Sequence, residues 1–209
     1  MKFYDCKTAP SPRRVRMFMA EKGIEIPTTQ VDLGKQEQLT ESFRKINPRC
    51  TVPVLELDDG TCLSDTLAIC HYLESQFPDP NLMGLDGREQ ALVLNWHEQT
   101  NSEGFVAAAE ALRNFARGFQ DRALTGPENF EQIPILAERG RKRLEAYLGI
   151  LDGQLAQSPF VALDRFTMAD IGAFICSEFA GWVKIPVLEL WPNIRRWHGE
   201  VSARPSASA

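Results

Sequence analysis

Histidine and paired cysteine are the first things this chain is short of. Its three histidines, His71, His97 and His198, are too dispersed to assemble a metal cluster. The five cysteines (Cys6, Cys50, Cys62, Cys70 and Cys176) are odd in number and scattered, with no Cys-x-x-Cys pair. That excludes a disulfide framework and a zinc site, and it suits the reduced thiols of a cytoplasmic protein. No apolar run approaches membrane-spanning length, and the N-terminus lacks a basic-then-apolar export signal, so no membrane association is expected. Positive charge is also in deficit. A net charge of −5 and a pI near 5.3 argue against nucleic acid or an anionic membrane as the main partner. No internal repeat or low-complexity block breaks the chain. What remains is ordinary: 44% hydrophobic and 24% charged residues, enough for one large domain or two small ones.

Lys2 to Tyr4 reads as a short buried strand, followed by a loop over Asp5 to Pro10. Ser11-Pro12 has the form of an N-cap with proline at the first helical position. Val15, Phe18 and Met19 make the apolar stripe of that helix, and Gly23 closes it after Lys22. A second strand over residues 28–33 completes a strand–helix–strand unit, which implies parallel pairing through a right-handed crossover. A weaker helix over residues 39–46 leads into Asn47-Pro48. Val52 to Leu57 is a strand by composition, Asp58-Asp59-Gly60 a turn, and Thr61 to Leu63 a returning strand. Ser64-Asp65-Thr66 then opens a helix carrying Leu67, Ile69, Cys70, Tyr72 and Leu73. The order β-α-β-α-β-β-α describes a small α/β sandwich over residues 1–77. Residues 78–86 lie in a stretch of proline and turn formers and read as a linker.

From residue 87 to 209 every persuasive segment is helical. A long helix is expected over residues 88–119, with Leu92, Trp96, Val106, Ala109, Leu112 and Phe115 or Ala116 near helical spacing. Residues 138–157 place Leu144, Tyr147 or Leu148, Leu151 and Leu155 on one face. Residues 168–182 are apolar almost all round and are preceded by a capping-box variant, Thr167 with Asp170, and by Phe166 as a staple. A last helix covers residues 192–201, and residues 204–209 are expected to form a loose tail.

The stretch around Val52 carries the binding signal. Pro53 stands at a strand entrance, where a cis bond would turn the backbone N–H and C=O of Val52 out of the sheet. An extended peptide-like ligand could pair with them as an extra strand. The helix start at Asp65-Thr66 offers free N–H groups and a positive dipole end to a carboxylate. The plainer alternative is a hairpin followed by an N-capped helix, with no ligand.

Four motifs in order resemble the cytosolic, bacterial-type glutathione S-transferase family. They are Ser11-Pro12 with Arg13 to Arg16; Asn47-Pro48-x-x-x-Val52-Pro53-x-Leu55; Leu63-x-Asp65-Thr66-x-Ala68-Ile69-x-x-Tyr72-Leu73; and Phe166-Thr167-x-Ala169-Asp170-Ile171. The resemblance spans essentially the whole chain. It implies a thioredoxin-like α/β N-terminal domain that holds glutathione, followed by an all-α domain that shapes the pocket for a small electrophilic substrate. It implies no metal, and it implies a homodimer. Val52, next to a cis Pro53, would pair with the cysteinyl backbone of glutathione. Thr66 would take the γ-glutamyl carboxylate, and Asp65 the γ-glutamyl amine, on a stem one methylene shorter than the usual Glu. Gln38 and Lys35 fall in the region that contacts the glycyl end. Arg113 and Arg117, on one helix face, would favour an anionic electrophile.

Such chemistry needs a glutathione thiolate near neutral pH. A free thiol has a pKa near 8.5, and lowering it by about two units takes roughly 2.7 kcal/mol. One charge-assisted hydrogen bond contributes about 1.5–3 kcal/mol and a helix N-terminus up to about 1 kcal/mol. Ser11 offers both, though serine before proline is also a good cap without catalysis. Thr8 is the reserve hydroxyl. Cys6, short of the helix start, reads as a buried thiol; as a nucleophile it would instead mark a disulfide reductase. Three functions therefore stand open: a glutathione transferase, a non-catalytic binding or regulatory module of the same fold, and a glutathione-dependent isomerase, dehalogenase or reductase.

Overall fold

Phe3, Tyr4 and Asp5 are all buried, which is the mark of a strand covered on both faces. They belong to β1 (Lys2–Asp5), the first strand in the computed structural model, which describes residues 1–209. β1 pairs in parallel with β2 (Thr28–Gln30) and antiparallel with β3 (Val54–Glu56), which in turn pairs antiparallel with β4 (Cys62–Leu63). The sheet order is β2-β1-β3-β4, so both edges are short strands. β2 ends three residues earlier than the composition suggests. Val31 still donates its N–H to the Asp5 carbonyl at 2.7 Å, but Asp32 then turns the chain by accepting from the Lys35 N–H at 3.1 Å.

Helix α1 (Pro10–Glu21) links β1 to β2 and buries Val15, Met17, Phe18 and Met19. Gly23, at φ +64°, closes it, and Ile24 donates back to the Met19 carbonyl at 2.9 Å. Helix α2 (Glu41–Ile46) is capped by Thr40, whose hydroxyl accepts from the Phe43 N–H. Helix α3 (Thr66–Gln76) packs on α1. Lys22 joins the far ends of these two helices. Its buried ammonium lies 2.7 Å from the Glu74 carboxylate and donates to the carbonyls of Phe77 and Pro80, each at 2.7 Å. The expected β-α-β-α-β-β-α order is present. Residues 1–80, with 125–129 and 208–209, form one compact unit, and residues 81–124 and 130–207 form the other.

The second unit contains α4 (Gly87–Gln99), α5 (Val106–Phe115), α6 (Pro134–Leu155), α7 (Met168–Trp182), α8 (Val187–Leu190) and α9 (Pro192–Ser202). The long helix expected over residues 88–119 is interrupted by a π-helical turn, Thr100–Phe105, that joins α4 to α5. The extra residue of such a turn rotates α5 about the helix axis relative to α4. The buried stripe runs through Val93, His97, Thr100 and Gly104, then shifts to Ala107, Ala108, Ala111 and Asn114. Val106, expected inside, is exposed, and of the pair Phe115 or Ala116 it is Phe115 that faces solvent while Ala116 is half-buried. Gly104 is required at the turn because a Cβ there would stand 2.6 Å from Cys176 Sγ and 3.0 Å from the Tyr147 ring. Residues 204–209 are not loose: Pro205–Ser208 is a 3₁₀ turn with Ser206 buried, and the Arg204 guanidinium stacks 4.1 Å over the Phe166 ring. No helix is long and apolar enough to cross a membrane.

The capping box that opens α7 is formed. Thr167 accepts from the Ala169 N–H, and Asp170 Oδ2 accepts from the Thr167 N–H at 2.9 Å. Asp170 is fully buried and does more than cap. Its Oδ1 also accepts from the Val161 N–H and from Trp197 Nε1, both at 2.9 Å. Burial raises its pKa from the ordinary 3.8 to about 6, against the opposing pull of these donors. The folded protein thus holds the proton more tightly than the unfolded chain. The stability this group contributes is fullest below about pH 4 and falls as pH rises through about 6. Asp170→Asn should lower stability by roughly 1–3 kcal/mol at neutral pH, because an amide N–H₂ meets donors. In urea titrations across pH 4–7, the wild-type advantage should be largest at the acid end.

Candidate functional site

Three segments of the first unit reach the same end of the sheet. The β1–β3 register pairs Tyr4 with Val54, and continuing it two residues brings Val52 level with Cys6, where β1 gives way to α1. The β3–β4 register pairs Leu55 with Leu63, and continuing it brings Asp65 level with Pro53. The β1–α1 loop, the entrance to β3 and the start of α3 therefore lie side by side.

At the first of these, the structure corrects the expected cap. Ala9, not Ser11, is the N-cap of α1, and no side chain caps the helix; Pro10 rather than Pro12 takes the first helical position. Both prolines suit a first turn, but the turn closed by the Ala9 N–H to the Cys6 carbonyl (3.0 Å) starts the helix two residues earlier. Ser11 is thereby released from capping. Pro10 and Pro12 have no N–H, and Arg13 donates to the Ala9 carbonyl, so Ser11 carries the one unpaired N–H among these four residues. Its hydroxyl oxygen accepts from Arg14 Nη2 at 3.2 Å, which leaves the O–H free to donate. Arg14 is itself buried. Thr8, the reserve hydroxyl, is exposed on the loop with its oxygen 3.5 Å from Cys6 Sγ.

At the second segment, the Val52–Pro53 peptide bond is cis. Val52 stands outside the ladder, and its N–H and C=O make no hydrogen bond within the protein. Asn47 is what holds this turn, a role its place in a sequence motif did not reveal. Buried to 2% exposure, it donates Nδ2 to the Thr51 carbonyl at 2.9 Å and to the Thr51 hydroxyl at 3.0 Å, and accepts from the Arg49 N–H at 3.0 Å.

At the third, Asp65 is the N-cap of α3. Its Oδ1 accepts from the N–H groups of Leu67 at 2.8 Å and Ala68 at 3.3 Å, so half of the carboxylate is already engaged by the helix. Thr66, the first helical residue, is buried, and its N–H and hydroxyl are unpaired. Gln38 sits half-buried in the 3₁₀ turn Glu37–Leu39 with Oε1 out of water and unpartnered. An orphaned acceptor of this kind costs about 1–3 kcal/mol until something donates to it. Lys35 points to solvent beside Asp32 at 3.5 Å.

The cysteines are mostly enclosed, including Cys6 at this end of the sheet. Cys6, Cys50, Cys70 and Cys176 are buried, and only Cys62 is partly exposed. Burial pushes the Cys70 thiol well up, and burial with the nearby Glu56 carboxylate raises Cys62. In the helical unit, Arg113 donates to the Leu124 carbonyl at 3.1 Å and stacks 4.5 Å over Phe119. Burial, then the like charge of Arg122, lowers its pKa to about 10. Arg117 is exposed.

Comparison with known proteins covers both units. Residues 8–76 match the family description "Glutathione S-transferase, N-terminal domain", and residues 123–205 match "Glutathione S-transferase, C-terminal domain". Glutathione S-transferase 2 of Saccharomyces cerevisiae is 31% identical over 209 residues, covering 99% of this chain and 87% of the yeast protein. Maleylacetoacetate isomerase of Mus musculus is 24% identical, covering 93% and 78%. Among solved structures, a glutathione S-transferase domain-containing protein of Marinobacter aquaeolei superposes with a TM-score of 0.91. It shares 34% identity and covers 99% of each chain.

The cap at Asp65 can be separated from any ligand role. Asp65→Ala should cost about 1 kcal/mol in urea unfolding without ligand, while Asp65→Asn, a cap of similar strength, should cost only a few tenths.

Proposed function

The chain belongs to the glutathione S-transferase family, and from that premise we propose that it activates the thiol of bound glutathione for attack on an electrophilic small molecule. In this reading glutathione lies along the main chain of Val52, next to Pro53. Thr66 receives the γ-glutamyl carboxylate on its N–H and hydroxyl, at the positive end of α3. The free oxygen of Asp65 faces the γ-glutamyl amine, and Gln38 and Lys35 stand toward the glycyl end. Residues 1–77 form the glutathione-binding domain, residues 78–86 the linker and residues 87–209 the domain for the second substrate. The working form is a cytoplasmic homodimer, as is common in the family.

One observation carries the catalytic assignment: Ser11 offers two unspent donors at a helix start that no side chain caps. The Arg14 guanidinium, donating to the serine oxygen, draws electron density from the hydroxyl and makes its proton a better donor to sulfur. A thiolate accepting the Ser11 O–H and N–H gains two charge-assisted bonds. At about 1.5–3 kcal/mol each, they exceed the roughly 2.7 kcal/mol that a two-unit drop in pKa requires.

A second reading, a glutathione-dependent isomerase, draws on the relationship to maleylacetoacetate isomerase and would use the same thiolate and the same donors. The burial of Cys6 speaks against the disulfide-reductase variant, since that chemistry needs an accessible thiolate.

The protein should be retained on immobilised glutathione; a folded protein that passes through would favour the non-catalytic binding module. Ser11→Ala should raise the pKa of the bound thiol by about one to two units and lower kcat/KM at pH 6.5 about 10- to 100-fold. If both stay at wild-type values, the assignment is wrong and Thr8→Ala becomes the variant to examine.

A further inference from the structure

Asp5 ends β1 in the interior with 1% of its surface exposed, and both of its carboxylate oxygens are answered. Arg16 of α1 donates Nη1 to Oδ1 at 2.6 Å, and Gln30 at the end of β2 donates Nε2 to Oδ2 at 2.6 Å. The same two side chains then reach into the β1–α1 loop. Arg16 donates to the carbonyls of Cys6 at 3.4 Å and Lys7 at 3.1 Å, while Gln30 Oε1 accepts from the Lys7 N–H at 2.9 Å. Three backbone groups of two consecutive loop residues are thus held by side chains that share one buried anchor. The loop runs on through Thr8 to Ala9 and delivers the start of α1.

We propose that Asp5, Arg16 and Gln30 form a clamp that fixes the β1–α1 loop, and thereby the donors at the start of α1, as positioning residues for the thiolate. The inference rests on the reading that the glutathione sulfur lies at that helix start. The physical reason is the steepness of hydrogen-bond energy with distance and angle: donors that wander by an ångström lose most of their preference for the anion. The tripeptide's remaining contacts, at Val52, Asp65, Thr66, Gln38 and Lys35, are with residues that the clamp does not touch. Releasing it should therefore show in the ionisation of the sulfur and in kcat far more than in affinity.

Gln30→Ala is the discriminating variant. It is neutral, so it changes no charge near the sulfur, and Gln30 lies on an exposed edge, where truncation admits water to Asp5 Oδ2 in place of the lost donor. Arg16→Lys is its companion, keeping the charge and the reach to Asp5 but losing the fork that holds two carbonyls. Three quantities are read on each. Amide exchange at Lys7 without glutathione should quicken about tenfold or more in Gln30→Ala. The pH midpoint of bound-glutathione thiolate formation, followed by ultraviolet absorbance, should rise by about half a unit to one unit in both variants. Glutathione Kd should stay within about twofold. Unchanged exchange at Lys7 overturns the clamp, and faster exchange with an unmoved midpoint overturns its positioning role. A wild-type midpoint no lower than that of free glutathione overturns the functional reading, and the positioning role with it, even where the exchange data show the loop to be held.

Discussion

A carboxylate cannot be taken out of water unless donors replace the water on both oxygens, and Asp5 meets that demand only if β1, β2 and α1 are all in place. Removing one partner from such a group typically costs several kcal/mol, although the assembled pair adds little net stability. The charge therefore acts as a specification of geometry. Lys22 does the same at the other end of α1, where its ammonium is satisfied only if α3 has ended at Phe77 and the chain has turned at Pro80. One helix is held at both ends by buried charge, and the residue singled out for chemistry lies in its first turn.

The helical unit uses the same device once, at Asp170. There a cap, a neighbouring loop and Trp197 of α9 meet on one carboxylate, so the start of α7 is tied to the docked position of α9. Around it the packing is set by close backbone approach. A Cβ on Gly140 would stand 2.7 Å from Ala107 O and Ala111 N, which is why α6 can lie so tightly against α5. Burial of Leu144, Tyr147, Leu148, Leu151 and Leu155 along α6 supplies the apolar area that offsets the ordering of the chain.

Much of this was legible in the residues because it is local. Period and punctuation located α1, α6, α7 and α9. The Thr167–Asp170 box and the strand–helix–strand opening needed no long-range information. What escaped was decided by partners far away in sequence. Pro10 and Pro12 fit a first helical position equally well, and only the turn between Cys6 and Ala9 chooses between them. The π turn at Thr100–Phe105 depends on Tyr147 and Cys176 standing against Gly104. The tail was expected to be free because nothing in its own composition shows that Arg204 would find the ring of Phe166. The same holds for the site: Val52, Asp65 and Thr66 announced themselves through proline and capping chemistry, whereas Asp5, Gln30 and Asn47 are ordinary residues until the fold brings their partners.

The seclusion of the cysteines bears on how a protein of this kind survives its own substrates. On the proposed reading, a protein that gathers electrophiles beside an activated sulfur would risk alkylating itself, since any accessible thiolate of its own would compete with the co-substrate. Four of the five thiols here are sealed in the interior, and at Cys62 and Cys70 the surroundings favour the unreactive protonated form. Under that reading, self-inactivation would be held off without forgoing cysteine in the core, and the borrowed sulfur would be the expendable one.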